Sequence, residues 1–115
     1  MTDEELLELD RWTAGFMGWH QVGGDLWVDA EQVAHSMRWH GIFVSDLNMA
    51  WKAAQKWKGD GLPGARKISL VDGWDNPVPR ATCQDFDAGQ RGVGADQCPA
   101  VALCLAVRQF EDRRA

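Results

Sequence analysis

Tyrosine is missing from this chain altogether, and cysteine, histidine and proline are scarce, at three, three and four among 115 residues. Three Cys, an odd number with none in a C-x-x-C spacing, argue against a disulfide framework and for a reducing cytoplasm. Zinc sites want ligands in short-spaced pairs. His35 and His40 are five apart and Cys98 and Cys104 six apart, so neither pair shares one helix face. No metal and no cofactor is expected, and Cys104 reads as a small core residue. No apolar run approaches the roughly 18 residues that span a bilayer. The opening Met1-Thr2-Asp3-Glu4-Glu5 is acidic where a signal peptide is basic, so no membrane association is expected. Positive charge is also short: 12 Lys and Arg against 17 Asp and Glu leave −5. A nucleic-acid groove normally shows as a basic stripe, so no nucleic-acid partner is expected, and −5 is too modest for a nucleic-acid mimic.

A catalytic set is equally hard to find. If Arg80–Asp87 is a strand, Cys83, Asp85 and Asp87 share a face, and the carboxylates would raise the thiol pKa and blunt it as a nucleophile. Gly59–Lys67 resembles a phosphate loop only in its glycines. Gly64 is followed by Ala65-Arg66-Lys67 and not by Lys-Ser/Thr.

Tryptophan is abundant, seven residues in all. Each indole buries a large area and carries one N–H that needs an acceptor once inside, so most are expected in the core. Seven Trp with four Phe is more aromatic bulk than one small core readily hides. Trp27, Trp39 and Trp74, in turn-rich or irregular stretches, are the candidates for an exposed partner-binding patch, most simply a homodimer interface.

The size is that of one α+β domain spanning residues 1–115. Its clearest element is a central helix over Ser45–Gly59, with Leu47, Ala50, Trp51, Ala54 and Trp57 as one apolar stripe. Ser45 is expected to cap it and Gly59 to close it in a left-handed conformation. Before it, Thr2 with Glu5 has capping-box spacing and predicts a helix from about Thr2 to Ala14, ended by Gly15 and Gly18. Leu26-Trp27-Val28 has strand composition. Asp29–Ala34 reads as a short helix capped by Asp29 or as an irregular excursion, and His40–Val44 as an extended approach to the central helix. After Gly59, Lys67–Val71 alternates as a half-buried strand, with Arg80–Asp87 its antiparallel partner. Gly89–Gly94 reads as a flexible loop. Asp96 then caps a last helix with Pro99 in its first turn and Ala100, Leu103, Cys104, Val107 and Phe110 on its buried face. The sum is a small antiparallel sheet covered by helices.

Three segments resemble a known family. Glu5-Leu6-Leu7-Glu8-Leu9-Asp10, followed by Phe16-Met17-Gly18-Trp19, looks like the opening helix and Met-Gly-Trp of the phage α-β-α sandwich family. Ser45-Asp46-Leu47-Asn48-Met49-Ala50-Trp51 resembles its Ser-Thr-Asp-Ile-x-x-Ala-Trp, and Cys98-Pro99-Ala100-Val101-Ala102-Leu103-Cys104-Leu105-Ala106 its Ala-Pro-x-Ala-Ile-Cys-x-Ala-Ala. The match covers about half the chain in the right order. Met17–Ser45 is longer than the family pattern, and Asp96-Gln97-Cys98 replaces its Thr before Ala-Pro. The resemblance implies a small protein of phages and prophages, with no shared activity or catalytic residue to carry over; the cytoplasm expected from the cysteines would then be that of the host cell.

With the phage origin that the resemblance implies, the expected function is that of a binding protein that interferes with a host defence component, either a protein or a small signalling nucleotide; size, acidity, surplus Trp and the lack of a catalytic set fit it. The alternative is an enzyme or nucleotide-binding protein using the Gly89–Gly94 loop. There, backbone N–H groups, Gly92 and Gly94 among them, with Arg91, would hold a phosphate or carboxylate, with Asp96 at the helix cap competing for the same N–H groups. A virion assembly component is a third reading.

Overall fold

Thr2 opens the first helix as its spacing predicts. Its hydroxyl accepts the Glu5 N–H at 3.2 Å, and the Glu5 carboxylate accepts the Thr2 N–H at 3.1 Å. A computed structural model describes residues 2–36, 41–71 and 78–114 of the chain. Along them run α1 (Asp3–Phe16), β1 (His20–Gly23), β2 (Leu26–Val28), β3 (Ala34–Ser36), α2 (Leu47–Gly59), β4 (Arg66–Val71), β5 (Arg80–Asp85), β6 (Gln90–Ala95) and α3 (Pro99–Arg114). This is the expected α+β class with antiparallel strands, of which β4, β5 and β6 lie under helices. The strands fall into two sheets, β1-β2-β3 and β4-β5-β6. No described helix is long and apolar enough to cross a membrane.

α1 runs through Gly15, past the expected end, and Gly18 lies beyond it. Its buried Asp10 organises a segment 32 to 34 residues away. The carboxylate accepts the N–H groups of Ile42, Phe43 and Val44 at 2.9, 2.6 and 3.1 Å. Burial raises the Asp10 pKa, against the pull of these N–H groups. Residues 42–45 are therefore a turn wound around a carboxylate, and not the extended approach that their apolar composition suggests. Gly41 begins the turn with φ +69°, where a Cβ would meet Val44 at 2.4 Å.

α2 differs from expectation in both caps and in its buried face. Asp46, not Ser45, is the N-cap, accepting the Asn48 N–H at 2.9 Å; the Ser45 hydroxyl donates to the Gly41 carbonyl instead. At the other end Gly59 stays helical, and Asp60 closes the helix in a right-handed conformation with its carboxylate on Lys56 at 2.9 Å. The buried face is Ala50, Ala53, Ala54 and Trp57. Trp57 is fully buried as expected, whereas Trp51 is 38% exposed and Leu47 43% exposed. The correction has a steric cause: α2 packs directly on α3, and the alanines are the side that permits close approach.

The second sheet is regular. β4 pairs with β5 from Arg66↔Asp85 to Val71↔Arg80, and β5 with β6 from Asp85↔Gln90 to Arg80↔Ala95. Both strands read from sequence are present. The third was missed: Gln90–Ala95 is strand β6 and not a loop. Its glycines hide the alternation, because α3 lies so close that side chains would not fit. A Cβ on Gly92 would meet the Ala106 carbonyl at 2.2 Å, and one on Gly94 the Ala102 carbonyl at 2.2 Å. α3 begins at Pro99, and the Asp96 carboxylate accepts the Cys98 N–H at 2.9 Å just before it. Ala100, Leu103, Cys104, Val107 and Phe110 are all buried, as expected of that face, together with Val101, Ala102 and Ala106. α3 covers β5 and β6 and α2 covers β4; α1 rests on α3. The Arg108 guanidinium reaches Glu8 at 3.0 Å and lies 5.9 Å from the Trp12 ring centre.

Candidate ligand-binding site

The expected anion site dissolves with its loop. Arg91, Gly92 and Gly94 are strand residues, and Gly92 and Gly94 are buried beneath α3. Arg91 is exposed, and its carbonyl accepts from Arg113 at 2.9 Å. Asp96 turns its carboxylate onto the Cys98 N–H. The aromatic patch loses one member: Trp27, at 8% exposure, is core, while Trp39 and Trp74 lie outside the described residues. Trp27 Nε1 and Trp57 Nε1 have no acceptor among the described residues, where one was expected for every buried indole.

The chemistry that the structure does assemble lies at the first sheet. β2 pairs with β3 so that Trp27 faces His35 and Val28 faces Ala34. The chain between them turns at Asp29. The Asp29 Oδ1 accepts the N–H groups of Glu31 and Val33 at 2.8 and 2.9 Å, and Gln32 takes φ 67° to complete the turn. This excludes the helix over Asp29–Ala34 and leaves the carboxylate anchored.

The second oxygen, Oδ2, is 2.8 Å from His35 Nε2. Asp29 is held below the usual carboxylate range, first by this bond to His35 and then by the Val33 N–H. With Asp29 ionised, Nε2 carries the hydrogen, and a neutral ring presents Nδ1 as an acceptor. The imidazole is fixed from the side by Trp19, with ring centres 4.4 Å apart and planes 20° apart, and Trp19 leans on Phe43 at 4.9 Å.

Beside this stack lies a concavity of about 270 Å3. Met17, Trp19 and Met49 give it an apolar floor, and Asp29, Glu31, His35 and Lys52 a charged rim. Lys52 has no ion pair among the described residues. No Ser, Thr or Cys is among the described residues that line the concavity. No group of three His, Cys, Asp or Glu suited to a metal occurs among the described residues. Nothing in the sequence singled out this cluster, because Asp29 and His35, six apart, match neither helix nor strand spacing. They meet only across a hairpin whose turn lacks glycine. Comparison with protein-family models, with curated proteins and with solved structures gives no match to this chain.

Proposed function

We propose that this chain acts by binding, as a small accessory protein of a phage or prophage in the host cytoplasm, and that its ligand is a small nucleotide held beside the Trp19–His35 stack. The observation that carries the reading is the composition of the concavity, an apolar floor with acceptors and a cation at its rim and no hydroxyl or thiol among the described lining residues beside its His–Asp pair. A serine- or cysteine-type nucleophile activated by this histidine would need a hydroxyl or thiol within its reach, and the described lining supplies none. A nucleotide has a use for each part. Its base fits Met17, Met49 and the Trp19 edge; its amino and ring N–H groups suit Glu31 and His35 Nδ1; its phosphate suits Lys52. Sequestering a host signalling nucleotide in this way would interfere with host defence.

A thermal-shift screen against nucleotides and cyclic nucleotides, with mass spectrometry of the recovered ligand, tests this. A ligand at a hundred times its Kd stabilises by about 2.7 kcal/mol. The expected result is a rise in Tm with at least one nucleotide, lost in Lys52→Ala, and a ligand recovered intact. A flat screen removes the nucleotide, and a chemically converted ligand replaces binding with catalysis.

A further inference from the structure

The two edges of the second sheet are treated differently. On β6 the outward-facing backbone is occupied by α3: the Val93 N–H donates to Gln109 Oε1 at 2.7 Å, and the Arg91 carbonyl accepts from Arg113 at 2.9 Å. These bonds also fix the phase of the ladder. If Arg91 and Val93 face outward, Gly92 and Gly94 bond to Cys83 and Ala81, and Thr82 and Gln84 bond to Ser69 and Lys67. The Phe86 N–H donating to the Ala65 carbonyl at 2.8 Å has the same phase. The backbone groups of Ile68 and Leu70 therefore face away from the sheet, and no described strand or side chain bonds to them.

Natural edges are usually blunted by charge, proline or a bulge. β4 carries one exposed charge, Lys67 near its start; from Ile68 to Val71 it has no charge and no proline, and its register with β5 is unbroken. Two exposed apolar side chains of α2, Leu47 and Trp51, lie on this side. Lys56 and Met49 mark the flank toward α1, over the Phe16 ring and beside Met17. Gln55 and Lys58 mark the opposite flank, beside Leu62, Pro63 and Arg66. Leu47 and Trp51 belong to that second flank by helical angle, which sets them above the open edge.

We infer that the β4 edge is a self-association surface, where two copies of this chain pair antiparallel and join their sheets into one of six strands. The outward groups fix the register: Ile68 of each copy faces Leu70 of the other, about a two-fold axis at Ser69. Lys67 then faces Val71 and no like charges meet across the seam. Ile68 and Leu70 continue the inner apolar row into the second copy, and the Leu47–Trp51 flanks of the two α2 helices meet over it. A closed two-fold dimer uses up both open edges, which a peptide strand added to one copy does not. This surface is independent of the ligand reading.

The test uses the axis. At Ser69 the two side chains stand opposite in a non-hydrogen-bonded pair, with Cβ atoms about 4.5–5.5 Å apart, where like charges repel directly. In sedimentation from low to high micromolar concentration the parent is expected to be a dimer. Ser69→Glu and Ser69→Lys are each expected to be monomeric with unchanged far-ultraviolet circular dichroism, and their equimolar mixture to dimerise again. A parent that stays monomeric overturns the proposal. So does a dimer indifferent to both substitutions, or a mixture of the two monomeric variants that fails to associate. Trp51→Ser, with Ser69 intact, provides a second reading and is expected to weaken the dimer at least tenfold.

Discussion

Arg66 Nε meets Asp85 Oδ2 at 2.9 Å inside the protein, where the two side chains are only 5% and 8% exposed. Few polar groups are left unmatched around them. Another guanidinium nitrogen donates to the Trp57 carbonyl at the end of α2 at 2.5 Å, and the second Asp85 oxygen accepts the N–H groups of Asp87 and Ala88. The guanidinium also lies 4.9 Å from the Trp57 ring and 5.1 Å from the Phe110 ring. One ion pair thus ties β4, β5, α2 and α3 together. Such a pair is weak evidence of net stabilisation, but its rupture leaves a charge buried alone. Arg66→Ala is expected to lower stability by about 3–5 kcal/mol, read from the urea midpoint.

The same pair sets an acid dependence. Asp85 is held below the usual carboxylate range, by the Ala88 N–H first and then by Arg66. A carboxyl depressed in the folded state binds its proton more readily when unfolded, at about pH 3.9. Its contribution is therefore in place above that value and is lost as pH falls through the depressed folded pKa. Asp29 has the same sign. Urea midpoints measured from pH 7 down to pH 3 should fall for the parent and fall less steeply for Arg66→Met. Parallel curves would remove Arg66 from the acid response.

The thiols separate by burial. Cys83 and Cys104 are fully buried, and desolvation pushes both up to about 12. Cys98 is only partly buried, with its thiol 3.5 Å from the Val44 carbonyl. A thiol-specific disulfide reagent at pH 8 should label one residue of the folded protein, Cys98, and all three once it is unfolded. Prompt labelling of Cys83 in the native state would contradict its place under α3.

Trp57 and Trp51 test which side of α2 faces the core. Trp57→Ala is expected to cost about 3–5 kcal/mol as a large core truncation. Trp51→Ala should cost far less when both are measured in the monomeric Ser69→Glu background, which removes the interface from the comparison. Both indoles lie on the apolar stripe as the sequence is read, and both count equally toward its direction. What decides between them is the approach of α3 along Ala53 and Ala54, which is a long-range fact.

That contrast marks how much of this structure is legible beforehand. Thr2 and Glu5 cap α1 with bonds that span three residues, so the local sequence contains the whole cause. The α3 face is as readable, because Ala100, Leu103, Cys104, Val107 and Phe110 recur at helical spacing. The turn at 42–45 is not readable, since its cause is Asp10, more than thirty residues away. The candidate site shares that difficulty: Trp19, His35 and Lys52 come from three separate segments, and only the Asp29 turn carries a local signal. β6 is the instructive failure. A strand whose inward positions are Gly92 and Gly94 has no alternation to detect, and its glycines imitate a loop.

Gly15 and Gly92 are both glycines within regular elements, and a composition-based rule would replace either with alanine. The surroundings separate them. Gly15 lies near the end of α1 with nothing within 4 Å of an added Cβ, so Gly15→Ala should stabilise by about 0.5–1 kcal/mol through helix propensity and a stiffer unfolded chain. At Gly92 the Cβ would meet backbone at 2.2 Å from the Ala106 carbonyl and 2.6 Å from the Phe110 nitrogen. No side-chain rotation relieves such a contact, so α3 must move off the sheet, and the shift reaches Phe110 and the Arg66 guanidinium beside it. Overpacking of this kind typically costs about 1–3 kcal/mol, and Gly94→Ala, against the Ala102 carbonyl, should fall in the same range. Urea midpoints of the three variants decide it. A neutral Gly92→Ala would mean that α3 sits further from β6 than described here, and the strand assignment would lose its explanation for the glycines.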